Sequence, residues 1–181
     1  MERRQIPTDY DLWGSAVVCL DQFHRLIVVV EPDDRDRPQI GKFAGMISIP
    51  MGAIDIDKRE TAPQAAAREF GEETGQEVRI LYPIGFFEIV EPNGQRCGVW
   101  AFYGELTGKP YLGELEDMKC YGLAEKEFLR LDPFTLRPLA REIYACWKWI
   151  KLAIDSGKPI QWVWDMVKSY APAIAKRLLN Q

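Results

Sequence analysis

The chain has a single histidine, His24, and four isolated cysteines, Cys19, Cys97, Cys120 and Cys146, with no CxxC pair among them. That scarcity rules out a Cys/His zinc site and any catalytic triad not built on His24. A bound metal would therefore have to be held mainly by oxygen. Long apolar runs are also missing. Runs such as Ala16 to Leu20 and Leu26 to Val30 fall well short of the roughly 18–20 residues of a membrane span. The first ten residues lack the apolar stretch of a secretory signal, and scattered thiols suit a reducing compartment. The expectation is a soluble, cytoplasmic protein. Nor is there a basic surplus. Lysine and arginine number 23 against 27 aspartate and glutamate in 181 residues, a formal charge of −4, whereas a bulk nucleic-acid binder carries the opposite balance to displace counterions. A 47% hydrophobic share, with 12% aromatic residues, is ample for one packed domain and argues against disorder.

Trp13 to Leu20 and Arg25 to Glu31 are short β-branched runs split by Asp21-Gln-Phe-His24, a strand–turn–strand pattern. The unbroken Leu26–Val30 run suggests a strand buried on both faces. Pro32 to Lys42 reads as a loop, and Met46 to Ile49 as a third strand that stops at Pro50-Met51-Gly52. Thr61-Ala-Pro-Gln64 is a capping box with proline in the first turn, so a helix starts there and runs to Gly75, a natural left-handed C-terminal residue. Val78 to Leu81, Ile84 to Val90 and Gly98 to Leu106 read as strands, the last two joined at Pro92-Asn-Gly94. Residues 107–119 form an acidic, glycine-rich connection. Two helices, about 137–154 and about 160–179, close the chain.

On the 65–75 helix, Glu69, Glu72 and Glu73 stand at i, i+3 and i+4 and share one arc, while Pro63, Ala67, Phe70 and Thr74 share a separate, core-facing one. Stacked like charges cost a helix roughly 0.2–0.5 kcal/mol per pair, and Glu72 and Glu73 lie near the negative end of the helix dipole. Two local preferences are broken together, as happens at functional sites. A hard divalent cation bound by carboxylate oxygen would resolve both conflicts. A solvated acidic face, balanced by Arg68, is the plainer alternative.

The surrounding residues decide between these readings. Gly52, Glu60 and Arg68-Glu-Phe-Gly-Glu-Glu-Thr-Gly75, with seven residues between Glu60 and Arg68, resemble the signature of Nudix hydrolases. That resemblance implies an α/β fold, a Nudix-like α/β/α sandwich with a mixed β-sheet, here with an extra C-terminal helix. It implies a Nudix-type pyrophosphohydrolase that cleaves a diphosphate linkage in a nucleoside diphosphate derivative, with Mg²⁺ or Mn²⁺ as cofactor. Glu69, Glu72 and Glu73 would hold the metal. Glu69 and Glu73 would be catalytic, joined by a carboxylate from outside the signature, and Glu116 is favoured over its loop neighbours Glu114 and Asp117 and over Glu88 and Glu91. Gly52, Glu60, Arg68 and Gly75 would support the signature structurally, Arg68 by pairing with Glu60. Three departures stand out: seven residues separate Gly52 from Glu60 where the family usually has five, Phe70 replaces a smaller aliphatic, and Gln76 stands at an aliphatic position.

Residues 1–158 are expected to form the hydrolase domain. In 159–181 the recurrence of Ile160, Val163, Trp164, Val167 and Tyr170 gives an apolar stripe, packed on the domain or used as a homodimer interface. Lys42, Arg35 and Arg37 are candidates for phosphate contact, and Trp13 and Phe43 for stacking on a base. His24 reads as an exposed turn residue. Specificity would come from some combination of residues 33–45, 88–97 and 107–119. The partner expected is a small nucleotide substrate, with no bulk nucleic acid and no membrane. A catalytically inactive nucleotide-binding or sensor protein of the same fold is the alternative function. A structural protein with an acidic helix is a more remote one.

Overall fold

A computed structural model describes residues 10–32, 36–108 and 119–179. The strands are β1 Leu12–Leu20, β2 Leu26–Val30, β3 Ile47–Ser48, β4 Met51–Ala53, β5 Val78–Val90, β6 Arg96–Leu106 and β7 Lys119–Leu123. The helices are α1 Ala62–Thr74, α2 Glu125–Arg130, α3 Ala140–Asp155, α4 Ile160–Tyr170 and α5 Ala173–Lys176. The main path through the sheet is β3-β2-β1-β6-β5, with β4 paired to β1 and β7 to β2. β1 runs parallel to β6 and the other pairs are antiparallel. β2 is buried along nearly its whole length, as its unbroken apolar run predicts.

Side chains alternate across a strand, and this separates the layers. Ser15 of β1 pairs with Trp100 of β6; its hydroxyl donates to the Ala62 carbonyl of α1 at 2.8 Å, and the Trp100 indole N–H donates to the Ala175 carbonyl at 2.9 Å. α1 and the C-terminal tail thus share one face. Tyr103, on the opposite face, stacks on Trp147 of α3 at 5.5 Å. The result is an α/β/α sandwich with a mixed sheet.

Several boundaries differ from the sequence reading. The strand at Met46 to Ile49 does not end at Pro50; after β3 the chain re-enters the sheet as β4, because Met51, Gly52 and Ala53 pair with Ala16, Ser15 and Gly14. The two strands predicted over 78–90 are one, β5, with register shifts near Leu81 and Ile84 that absorb extra residues as bulges. The helix predicted over 160–179 breaks after Tyr170, where Pro172 cannot continue the hydrogen-bond ladder, and restarts as α5. β7 and α2 are additions. In the tail Val163 and Val167 are buried, whereas Ile160 and Tyr170 are exposed. No helix among the described residues is long and apolar enough to cross a membrane.

Candidate active site

α1 begins as its sequence dictates. Every early N–H that the helix cannot satisfy internally has a partner: Ala62 donates to the Leu178 carbonyl at 2.7 Å, Gln64 to Thr61 Oγ1 at 3.3 Å and Ala65 to the Thr61 carbonyl at 2.9 Å, while Pro63 has no N–H. The Gln64 side chain completes the capping box by accepting from the Thr61 N–H at 2.9 Å. Gly75 ends the helix at φ 65°, a left-handed conformation that favours glycine. The buried face is Ala62, Ala65, Ala66, Phe70 and Thr74. The predicted face is thus rotated slightly: Phe70 and Thr74 are buried, but Pro63 and Ala67 are only half-buried. The cause is the clamp at Ala62, held between Leu178 and Ser15, which draws the alanines onto β1.

Arg68 organises the carboxylates. Its Nε and Nη2 donate to the two oxygens of Glu60 at 2.7 and 2.9 Å. Nη1 donates to Glu69 at 2.7 Å and to Glu72 at 3.1 Å, and Nη2 also reaches the Ala53 carbonyl at 2.9 Å. These bonds raise the guanidinium further above its already high ordinary pKa and, foremost through Arg68, hold the Glu60 carboxyl below its usual value. Glu60 also accepts from the Asp55 N–H at 2.8 Å, which ties the loop before α1 to the helix. A bidentate pair of this kind fixes geometry as well as charge.

The three glutamates separate. Glu73 turns toward the sheet, accepts from the Met51 N–H at 2.9 Å, and has its carboxyl pushed up to about 8, chiefly by burial. Glu69 lies against β4 so closely that a Cβ on Gly52 would stand 2.0 Å from its carboxylate. Glu72 points outward, its side chain 59% exposed. Glu69 and Glu73 line a cleft of 350 Å³ whose other charged residues are Arg37, Lys42, Glu91 and Arg137. Glu69 and Glu72 line an adjoining groove with Arg68. Among the described residues no three His, Cys, Asp or Glu side chains are close enough to hold a metal as they stand. Glu69 and Glu72 are instead paired with Arg68. The donor set nevertheless suits a hard cation. Glu73 is a desolvated carboxylate with no ion pair within 4 Å among the described residues, only the more distant fields of Arg137 and Lys42, and glycine at 52 leaves room for the Glu69 carboxylate.

Of the remaining predicted residues, Lys42 and Arg37 line the cleft, while Arg35, Glu114, Glu116 and Asp117 lie outside the described residues. Glu91, ranked behind Glu116 on sequence, is in the cleft; its Oε2 is buried without a hydrogen-bond partner among the described residues. Glu88 is not among the cleft-lining residues; among the described residues it pairs with Arg96 at 3.9 Å. Trp13 also lines the cleft, 4% exposed and packed edge-on against Tyr10 at 4.7 Å. Phe43 is exposed, and His24 occupies its exposed turn at φ 60°. Arg137 was missed on sequence, where it reads only as the first residue of the helix expected over about 137–154; the helix in fact begins at Ala140. Arg137 reaches the cleft because its N–H bonds the Ile47 carbonyl at 2.9 Å, beside the bridge between Leu136 and Ile47.

The NUDIX domain model matches residues 13–144. The chain belongs to the Nudix family. The matched span contains the whole Glu60 to Gly75 signature, and membership places the protein among the Nudix-type pyrophosphohydrolases, whose general reaction is hydrolysis of nucleoside diphosphate derivatives. Among solved structures, a Nudix hydrolase from Nitrosomonas europaea superposes with a TM-score of 0.61 at 18% identity, covering 76% of this chain and 88% of its own. A MutT protein from Methanosarcina mazei Go1 gives 0.59 at 16% identity, covering 81% and 96%. An ADP-ribose pyrophosphatase from Streptococcus suis 89-1591 gives 0.51 at 16%, covering 75% and 88%. At such identities the likeness is one of fold. No curated protein matches the sequence.

Proposed function

We propose that this Nudix protein is a Mg²⁺-dependent, or Mn²⁺-dependent, hydrolase of the diphosphate linkage in a nucleoside diphosphate derivative. The observation that carries this reading is the placement of Glu69 and Glu73, two carboxylates of one capped helix, in a single cleft against Gly52 and the Met51 amide. Glu69, Glu72 and Glu73 would hold the cation. When bound, the cation lowers the pKa of the attacking water and neutralises phosphate charge. Glu73 is held in orientation by the Met51 N–H, and Glu69 by Arg68. Glu69 would also accept the proton of the attacking water, with Glu116 the second candidate for that role. Glu72, whose side chain is exposed and paired with Arg68 at 3.1 Å, would have to leave that pair to join the set. Arg68 keeps its two bonds to Glu60 throughout and so preserves the angle between loop and helix.

The names of the fold relatives suggest where to begin with substrates. A panel of nucleoside triphosphates, ADP-ribose, nucleotide sugars, dinucleotides and dinucleoside polyphosphates, each with and without Mg²⁺, tests the reading. Turnover of at least one compound that stops on chelation supports it. Binding of a nucleotide without turnover of any supports the sensor alternative, which the intact set of Glu69, Glu72 and Glu73 argues against.

A further inference from the structure

The hydrolase reading gives no role to Arg37, Lys42, Glu91 or Arg137 in the cleft, and Arg137 and Lys42 stand out among them. The Arg137 side chain is 16% exposed, yet its contacts among the described residues are long: 3.4 Å from Nη1 to Glu31 Oε1 and 3.5 Å to the Met51 carbonyl. A guanidinium has five N–H donors in a rigid fork, and charge-assisted bonds settle at about 2.7–2.9 Å. Arg68, only two helical turns from Glu60 in sequence, meets that standard; Arg137 does not. Lys42 repeats the pattern, with Nζ 3.6 Å from the same Glu31 oxygen. Two half-buried cations therefore share one oxygen of one buried carboxylate, and both line the cleft that holds Glu69 and Glu73.

Each of the three pieces comes from a different part of the chain. Glu31 follows β2, Lys42 closes the turn after the short 3-10 segment Pro38–Ile40, and Arg137 precedes α3. Burying two like charges side by side is costly unless something anionic joins them. Burial together with repulsion from Arg137 depresses the Lys42 ammonium pKa, in line with that cost. Glu31 offsets part of it at long range, as do Glu73, Glu91 and Glu69 for Arg137 and Glu73 for Lys42. Three carboxylates and three cations line the cleft, so a divalent cation held by Glu69 and Glu73 would tip the balance toward attracting an anion.

We propose that Arg137 and Lys42, presented together by Glu31, form a phosphate-holding wall of the cleft that binds two adjacent phosphoryl groups directly. The planar fork of Arg137 takes two oxygens of one phosphate, Lys42 meets the neighbouring phosphate as a point charge, and Glu31 is a positioning residue that touches neither. The ligand class is a compound with at least two linked phosphates, recognised by the diphosphate before the nucleoside. The inference rests on the hydrolase reading for its place in the reaction, though not for the binding itself.

Calorimetric titration of the metal-free protein with inorganic pyrophosphate, in EDTA so that no cation bridges it to the carboxylates, tests the proposal. The variants are Lys42→Gln and Arg137→Lys; the second keeps the charge that balances Glu31, and so the fold, while removing the fork. Each is expected to weaken pyrophosphate binding at least tenfold and to raise KM for a hydrolysed substrate by a similar factor, with Mg²⁺ affinity within twofold of wild type. Pyrophosphate affinity within twofold of wild type in both folded variants overturns the proposal. Should the wild type bind pyrophosphate and the variants not, while no compound is hydrolysed, the wall stands and the hydrolase reading falls. Hydrolysis with KM unchanged in both variants removes the wall alone.

Discussion

Replacing Gly52 by alanine is a sharp perturbation of the proposed site. The added carbon would lie 2.0 Å from Cδ and Oε2 of Glu69 and 2.5 Å from Oε1, whereas non-bonded heavy atoms rest at about 3.5–4.0 Å. The carboxylate must retreat by roughly 1.5 Å, since β4 is fixed by its pairing with β1. Gly52 is not among the residues at positive φ, so alanine strains no backbone dihedral and the effect falls on Glu69. A misplacement of about 1 Å in a reacting constellation costs on the order of 10²-fold, or roughly 3 kcal/mol of transition-state stabilisation. The expected result is kcat/KM lowered about 10²-fold on whichever substrate the panel identifies, with a melting temperature within a few degrees of wild type. Gly71→Ala is the control. It lies on the same helix, its new Cβ meets only the Gln76 carbonyl at 3.6 Å, and it should keep activity while gaining up to about 1 kcal/mol from helix propensity. A Gly52→Ala protein with kcat/KM within threefold of wild type would refute the placement of Glu69 in the reaction.

Because burial raises the Glu73 carboxyl from its ordinary 4.5 to about 8, the folded metal-free protein holds a proton that the unfolded chain releases, and stability falls as pH rises from 4.5 to 8. Thermal unfolding in EDTA should therefore show Glu73→Gln gaining on wild type between pH 5.5 and 8, and a flat difference would contradict the burial. Metal binding requires the ionised carboxylate, so the Mg²⁺-induced rise in melting temperature should be larger at pH 8 than at 5.5. Glu60 shifts the other way: Arg68 holds it below 4.5, so its stabilisation is present above that pH and lost as pH drops further, and Glu60→Gln should flatten the acid limb of an unfolding curve. Leu178→Ala removes a side chain that is 1% exposed, next to the carbonyl that caps Ala62, and should cost about 2–5 kcal/mol of unfolding free energy, measured by denaturant titration.

Local chemistry made much of α1 legible. The capping box, the proline in the first turn and the left-handed Gly75 are satisfied within a few residues of one another, so short-range sequence suffices to place them. The orientation of the carboxylates was less accessible. Spacing puts Glu69, Glu72 and Glu73 on one arc, but which of them turns inward depends on Arg68, on the Met51 amide and on a tail carbonyl more than a hundred residues away. Arg137 carries no local signal, since its position follows from a single long-range bridge to β3. β7 and α2 were hidden because a short strand next to glycine and a six-residue helix give too few periods to register.

The central claim is that a divalent cation held by Glu69, Glu72 and Glu73 drives diphosphate hydrolysis, and its most direct test is product release from the substrate panel by wild type and Glu73→Gln across a Mg²⁺ titration. The expected result is wild-type turnover that rises with Mg²⁺, is abolished by EDTA and is at least 10²-fold lower in the variant at saturating metal. Turnover that persists in EDTA, or a Glu73→Gln enzyme as active as wild type, would contradict it.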